Sequence, residues 1–174
     1  MPDVAITPAD HAIGPDTARV TVIEYGDFEC EYCRMAYGAM KILIEHYGPQ
    51  VRFVYRHYPM SHWHPSAEAA AECAEAAGAQ QKFWQMYRLL HEKPDGLKPE
   101  ALRHYAGMLG MDLDRYDRDM SAHAHLPHIR DDMRGAAQWQ VRGTPSFFVN
   151  GVVQDVTFGM ERLQRAIDMA LNPT

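Results

Sequence analysis

Cysteine is scarce in this chain: three occur in 174 residues. That is too few for a disulfide-stapled scaffold, and a chain of this length buries enough core to need none. Long apolar runs are absent, so no stretch reads as a bilayer span. Positive charge is also in deficit. The formal net charge is -6, and Lys and Arg are scattered with no basic stripe. That balance argues against nucleic acid as a partner. The N-terminal segment, Met-Pro-Asp-Val-Ala-Ile-Thr-Pro, has neither a basic start nor an apolar h-region, so it does not read as a signal peptide. The expectation from these absences is a cytoplasmic protein, periplasmic only if a leader has been removed. Internal repeats and low-complexity stretches are missing as well.

What is present is an ordered alternation of patterns. Residues 1–18 contain Pro and Asp without a period and read as an extended N-terminal extension. Arg19–Tyr25 is short, β-branched and aromatic, which is the pattern of a mostly buried strand. From Glu31 to Tyr47 apolar residues recur at helical spacing, and Gly48-Pro49 stops that helix. Val51–Arg56 alternates as a second strand. About eighty helical residues follow. An Ala-rich helix opens at Pro65-Ser66 and ends at Gly78. The next runs from Gln80 to Leu90, with Phe83, Trp84 and Tyr87 on its apolar side. A turn is predicted at Lys93–Gly96, then helices over Glu100–Leu109, after the Asp112 cap, and over Leu126–Gln140. Strand signals return as a hairpin, Ser146–Val149 and Val152–Val156 about Asn150-Gly151, before a last helix, Met160–Leu171. The order is β-α-β, a helical block, then β-β-α. It predicts an α/β fold with a central mixed sheet and an inserted all-helical domain. The expected division is 1–18, 19–61, 62–140 for the insertion, and 141–174.

Cys30-Glu-Tyr-Cys33 sits between the first strand and the first helix. Such a spacing serves a redox pair, half of a zinc site, or neither. At a helix start, unpaired amides and the helix field favour thiolate. Cys30 is then the exposed attacking thiol and Cys33, one turn inward, the resolving one. Asp27, Glu29 and Glu31 crowd the pair, and like charge opposes a thiolate. The expected Cys30 pKa is therefore below that of a free thiol but not extreme. Zinc would need more ligands, and His57, His62 and His64 are the nearby imidazoles. They fall in a loop-like stretch, so no metal and no cofactor is expected; His57 ends a strand of the same sheet and can approach the active centre, but reads first as a solvated or hydrogen-bonded structural residue. Cys73, in Ala70-Ala-Glu-Cys-Ala74, reads as a small thiol buried between helices. Met35 reads as core, with an apolar patch beside Cys30 as its other use.

Glu24 interrupts an apolar strand six residues before Cys30. Burial there raises a carboxyl pKa, and an acid near neutrality can take and return the proton of Cys33. Arg142-Gly-Thr-Pro145 precedes the Phe147-Phe148 strand. If the Thr144–Pro145 bond is cis, the Thr144 backbone faces outward and can pair with an extended substrate segment.

Three segments together carry a family resemblance: Glu24-Tyr-Gly-Asp-Phe-Glu-Cys-Glu-Tyr-Cys33, Phe53-Val-Tyr-Arg-His-Tyr-Pro59 and Gly143-Thr-Pro-Ser-Phe-Phe-Val-Asn-Gly151. They resemble the DsbA-like thiol:disulfide oxidoreductases of the thioredoxin superfamily, as do Phe83–Tyr87 and Tyr105–Gly110. The resemblance spans roughly residues 11–170. It implies a thioredoxin fold with a helical insertion, Cys30 as nucleophile, Cys33 as resolving cysteine, Glu24 as the buried acid and Pro145 as the cis-proline. Thr144, Pro145 and Tyr32 are then the residues expected to meet substrate. Glu31 and Tyr32 stand where the best-known oxidants carry Pro-His, so a hydroxyl replaces a cation beside the nucleophile.

The predicted activity is thiol–disulfide exchange with protein or peptide thiols and disulfides. A small thiol or a redox-partner protein recycles the pair. In a reducing cytosol the pair rests mostly as dithiol unless its potential is very low, which fits a reductase or a stress-related exchange role. Two other readings stay open: a glutathione-dependent transferase or isomerase, and a non-catalytic peptide-binding or chaperone-like module.

Overall fold

The computed structural model describes residues 5–92, 96–157 and 159–173. Most of the turn expected at Lys93–Gly96, and the first four residues of the extension, lie outside that set.

The centre of the molecule is β2 (Val20–Gly26), a β-branched run whose side chains are almost all buried. Strand β3 (Val51–His57) lies parallel to it, with Val22 beside Phe53 and Glu24 beside Tyr55. Parallel neighbours need a crossover. Helix α1 (Glu31–Tyr47) supplies it, followed by a 3-10 turn at Gly48–Gln50. On the other side β4 (Ser146–Val149) runs antiparallel to β2, and β5 (Val152–Gln154) completes a hairpin on β4. The hairpin turn places Asn150 and Gly151 at positive φ (46° and 79°), the conformation an Asn-Gly turn supplies cheaply.

One further strand was not legible. Residues His11–Ile13 form β1, antiparallel to β3 at the sheet edge, where an unstructured lead-in was expected. The sheet order is β1-β3-β2-β4-β5. A buried ion pair docks the lead-in: Arg56 donates to both carboxylate oxygens of Asp10 at 2.7 and 2.9 Å, and to the Tyr25 hydroxyl at 3.2 Å.

Between β3 and β4 lies the helical subdomain. Its elements are α2 (Ala67–Gly78), α3 (Phe83–Glu92), α4 (Pro99–Met108), α5 (Leu113–Ser121) and α6 (Leu126–Gln138). Helix α3 starts three residues later than its apolar pattern suggests, because Gln81 takes a left-handed φ of 61° and breaks the run. Asp112 caps α5, accepting the Arg115 N–H at 3.0 Å. Cys73 is fully buried in α2, its sulfur 3.6 Å from Met86 Sδ. Helix α7 (Glu161–Leu171) packs against β4.

Strand alternation divides the core. Val20, Val22, Tyr55 and Phe147 face α1, α3 and α7, whereas Ile23, Tyr25 and Phe148 face Ala136 of α6. Glu24 is in phase with Val20 and Val22, so it points into the helix-covered face. Gly26 ends β2 because a Cβ there would come within 2.5 Å of the Tyr55 ring.

Candidate active site

The link from β2 into α1 is short and heavily hydrogen-bonded. Cys30 is the N-cap of α1, in extended conformation, and Cys33 lies in the first turn. Asp27 organises the link. Its backbone N–H points at Cys33 Sγ (3.4 Å), and its carbonyl accepts the Cys30 N–H (3.2 Å). One carboxylate oxygen accepts the Glu29 N–H (2.8 Å). The other accepts the Met60 N–H (2.9 Å) and lies 2.7 Å from His64 Nδ1. The Ser66 N–H donates to Glu29 at 2.6 Å. The cysteine turn is thus clamped to the loop that follows β3.

Cys33 is fully buried and Cys30 is only 5% exposed. Cys30 is less open than expected, because Thr144 and Pro145, across a cis peptide bond, close over it. The Cys30 sulfur lies 3.4 Å from the Thr144 carbonyl oxygen. A hydrogen bond from the Cys33 thiol is the main reason the Cys30 thiol is lowered to about 5. Against the opposing effect of burial, Thr144 and the backbone N–H groups of Cys33 and Tyr32 add to it. Burial pushes Cys33 the other way, well above an ordinary thiol, reinforced by its bond to Cys30 and the charge of Glu24. Two thiols one helical turn apart are therefore driven in opposite directions.

The depression at Cys30 is larger than the crowding carboxylates led us to expect. Each of them has a partner. Glu31 pairs with Arg34 (Nε 3.0 Å), Glu29 takes a backbone N–H, and Asp27 is bound by two N–H groups and an imidazole. Burial resists protonation of His64, but the Asp27 hydrogen bond and the charges of Asp27, Cys30 and Glu29 raise its pKa. His64 thus brings from the loop after β3 an imidazole whose protonated form is favoured beside the cysteine turn. Sequence reasoning weighed His64 only as a metal ligand; nothing in its spacing from Asp27 signals the pairing.

Glu24 lies in the buried layer beneath the cysteines, with no exposed surface. Among the described residues, neither carboxylate oxygen meets a hydrogen-bond partner of ordinary geometry, and the buried hydroxyls of Tyr55 and Tyr87 are likewise unmatched. Burial, then the charge of Cys30, raises its pKa to about 8, with the Tyr87 hydroxyl tempering the shift. Glu24 can hold or release a proton near neutrality within the field of both cysteines.

Beside the pair runs a groove of about 670 Å³, lined by Tyr32, Met35, Thr144, Pro145 and Met160 among others. Met35 is 66% exposed and borders this groove, so it is not core. A smaller hollow on the other side is lined by Phe28, Cys30, Arg34 and Leu97. The imidazoles weighed for zinc do not gather on the cysteines: His57 is buried against Glu75 (2.7 Å) and His64 is held by Asp27. Trp63 is exposed, its ring edge-on to His62.

One prediction arises directly. Titration of thiolate ultraviolet absorbance on the reduced protein will show a first midpoint near pH 5, from Cys30. Cys73, pushed up to about 12 by burial, stays silent across that range. A first midpoint above about 8.5, the value of a free thiol, would refute the electrostatic account of Cys30.

Comparison with known proteins agrees with this geometry. The family profile described as Thioredoxin matches residues 6–169. A thioredoxin-like oxidoreductase from Silicibacter pomeroyi DSS-3 superposes with a TM-score of 0.85 at 30% identity, covering 97% of this chain and 95% of that one. Wolbachia pipientis alpha-DsbA1 superposes with a TM-score of 0.84 at 17% identity, covering 97% and 94%. Among curated proteins, the Na(+)/H(+) antiporter NhaA 1 of Salinispora arenicola is 42% identical over 165 residues, 95% of this chain but 25% of the antiporter. The chain thus spans about a quarter of the length of the curated relatives it matches. The expected cytoplasmic location is overturned by these relationships. DsbA-like relatives are characteristically extracytoplasmic, and a periplasmic thioredoxin-like protein from Salmonella enterica shares the fold with a TM-score of 0.77 at 19% identity, covering 95% of this chain and 91% of that one. A missing signal-like pattern carried the cytoplasmic reading, and nothing in the folded domain reports its compartment.

Proposed function

Because the chain belongs to the DsbA-like thiol–disulfide oxidoreductases of the thioredoxin fold, we propose that its chemistry divides unequally among Cys30, Cys33 and Glu24. The enzyme exchanges disulfides with protein substrates through the Cys30–Cys33 pair. Within that activity Cys30 is the sulfur that bonds to substrate, Cys33 resolves, and Glu24 carries the Cys33 proton.

In the oxidising direction a substrate thiolate attacks Sγ of Cys30 in the intramolecular disulfide. The Cys30–Cys33 bond breaks, and Cys33 leaves with a proton from Glu24. A second substrate thiolate then attacks the substrate sulfur of the mixed disulfide and expels Cys30 as thiolate. The substrate has lost two electrons and the enzyme pair has gained them. In reverse, Cys30 thiolate attacks a substrate disulfide, Glu24 takes the Cys33 proton, and Cys33 closes onto Cys30. The groove beside Pro145 receives the substrate segment, with Tyr32 and Thr144 at its rim. A redox-partner protein or a small thiol recycles the pair.

One observation carries the preference for oxidation: the reduced Cys30 is ionised far below neutrality while Cys33 is not. A lowered pKa stabilises the dithiol state and makes Cys30 the better leaving group. The sign follows from the depressed value. The stabilisation is full above the pKa of an ordinary thiol and disappears as pH falls through about 5. At pH 7 it amounts to about 3 kcal/mol, or about 60 mV.

Equilibration with glutathione buffers tests this. The reduction potential at pH 7 should lie roughly 50 mV above a thioredoxin-type pair at about -270 mV. It should change by about 30 mV per pH unit above pH 5, where one proton accompanies the two electrons, and by about 60 mV per unit below. A potential at or below about -270 mV would assign the pair to reduction instead.

A further inference from the structure

Three imidazoles converge on one carboxylate that the redox chemistry does not use. His11 Nε2 of β1 and His57 Nε2 of β3 each lie 2.7 Å from Oε1 of Glu75 in α2. His128 Nε2 of α6 is 3.8 Å from the same oxygen and 4.0 Å from Asp132 Oδ2. The donor atoms of His11, Glu75 and His128 all lie within 4.8 Å of one another.

We propose that His11, Glu75 and His128 form a binding site for one divalent d-block cation, best suited to zinc, which ties β1 and α6 to α2. The donor set decides the class of ion. Two neutral imidazoles with one carboxylate suit zinc, whereas calcium and magnesium prefer all-oxygen shells. A tetrahedral ion with bonds of about 2.0–2.2 Å needs ligand atoms roughly 3.3–3.5 Å apart. The 2.7 and 3.8 Å separations from Glu75 Oε1 bracket that spacing, and the third pair of donors lies within 4.8 Å, so side-chain rotation would complete the site.

The surroundings are those of a supported site. His57 holds the same Glu75 oxygen at 2.7 Å, and its own backbone N–H donates to Asp132 Oδ2 at 2.8 Å. Such outer contacts orient ligands. Phe83 stacks on the His11 ring, centroids 3.5 Å apart and planes within 6°. His128 borders a hollow of about 260 Å³, shared with Asp132 and Arg56, from which a water can supply the fourth ligand.

The test uses a Cys30→Ser/Cys33→Ser protein, so that thiolates cannot bind the ion, stripped with chelator and dialysed. Added zinc should be retained at one per chain. At a hundredfold excess over Kd it should raise Tm by about 5–10 °C. Cobalt in its place should give four-coordinate d–d bands without thiolate charge-transfer absorption. His128→Ala and, independently, His11→Gln should each weaken zinc binding by at least about a hundredfold. A Tm indifferent to zinc would overturn the site, leaving a hydrogen-bonded cluster only. Unchanged affinity in both variants would overturn it equally.

Discussion

A Cys30→Ser protein will turn over no disulfide, whereas a Cys33→Ser protein will stall as a mixed disulfide joined to substrate through Cys30. The asymmetry follows from the opposed pKa shifts. At pH 7 a thiol lowered to about 5 is about 99% ionised. An unperturbed thiol of pKa about 8.5 would be a few per cent ionised. The gain in thiolate is largely offset by weaker intrinsic nucleophilicity, which falls with a Brønsted coefficient of about 0.4–0.5. Speed of attack is therefore not what the low pKa supplies; ease of departure is. Without Cys33, the mixed disulfide loses the neighbour that would displace substrate, and only an external thiol releases it. Mass spectrometry of the Cys33→Ser protein incubated with an oxidised peptide should find the adduct on Cys30. An adduct chiefly on Cys73 would overturn the assignment. Full turnover by the Cys33→Ser protein would instead favour a glutathione-using enzyme with one working thiol.

Glu24 should produce the next largest effects, in rate and in stability, and the two separate by substitution. Protonated Glu24 donates to the departing Cys33, so the oxidising half-reaction should fall as rising pH ionises Glu24. Ionised Glu24 accepts the Cys33 proton, so the reducing half-reaction, which starts from the dithiol, should rise through about pH 8. Glu24→Gln keeps the shape and removes the proton. Single-turnover rates in both directions should drop about a hundredfold, and both pH limbs should vanish. Retention of those limbs in Glu24→Gln would remove Glu24 from proton transfer.

The stability effect has the sign of an acid whose folded pKa is raised. Below pH 4.5, the ordinary value for this carboxyl, folded and unfolded states both hold the proton and there is no penalty. Between 4.5 and about 8 the unfolded state ionises while the folded one does not, so stability declines as pH rises. Above about 8 the decline stops. At pH 7 the penalty is about 3 kcal/mol. Glu24→Leu should therefore gain stability over the parent between pH 4.5 and 8, read from urea unfolding at the two ends. Equal gains at both ends would mean that burial leaves the Glu24 carboxyl unshifted.

The redox pair and the buried acid were readable before any coordinates because all three lie within ten residues. Strand phase turns Glu24 inward, and the β2–α1 junction puts Cys30 at a helix start. The alternation from β2 through α7 was readable for the same reason: apolar period and turn chemistry are local. β1 escaped because three residues between Asp10 and Gly14 show no period, and their partner β3 lies some forty residues on. The cis bond at Pro145 was expected from the resemblance, but the closure of Thr144 over Cys30, a contact across 114 residues, was not, because no local pattern joins the two segments.

Neighbouring residues, acting through backbone preference, set the elements, their order and the two thiols. The packing of helices on the sheet chose which distant side chains meet. It brought His64 to Asp27 across 37 residues and His11 to Glu75 across 64. No local pattern encodes such meetings, because they depend on the angles and distances at which whole elements settle together. The acidity of Cys30, by contrast, comes mostly from its own turn, the Cys33 thiol and the backbone N–H groups of Tyr32 and Cys33, while the fold adds Thr144 and the burial that opposes it.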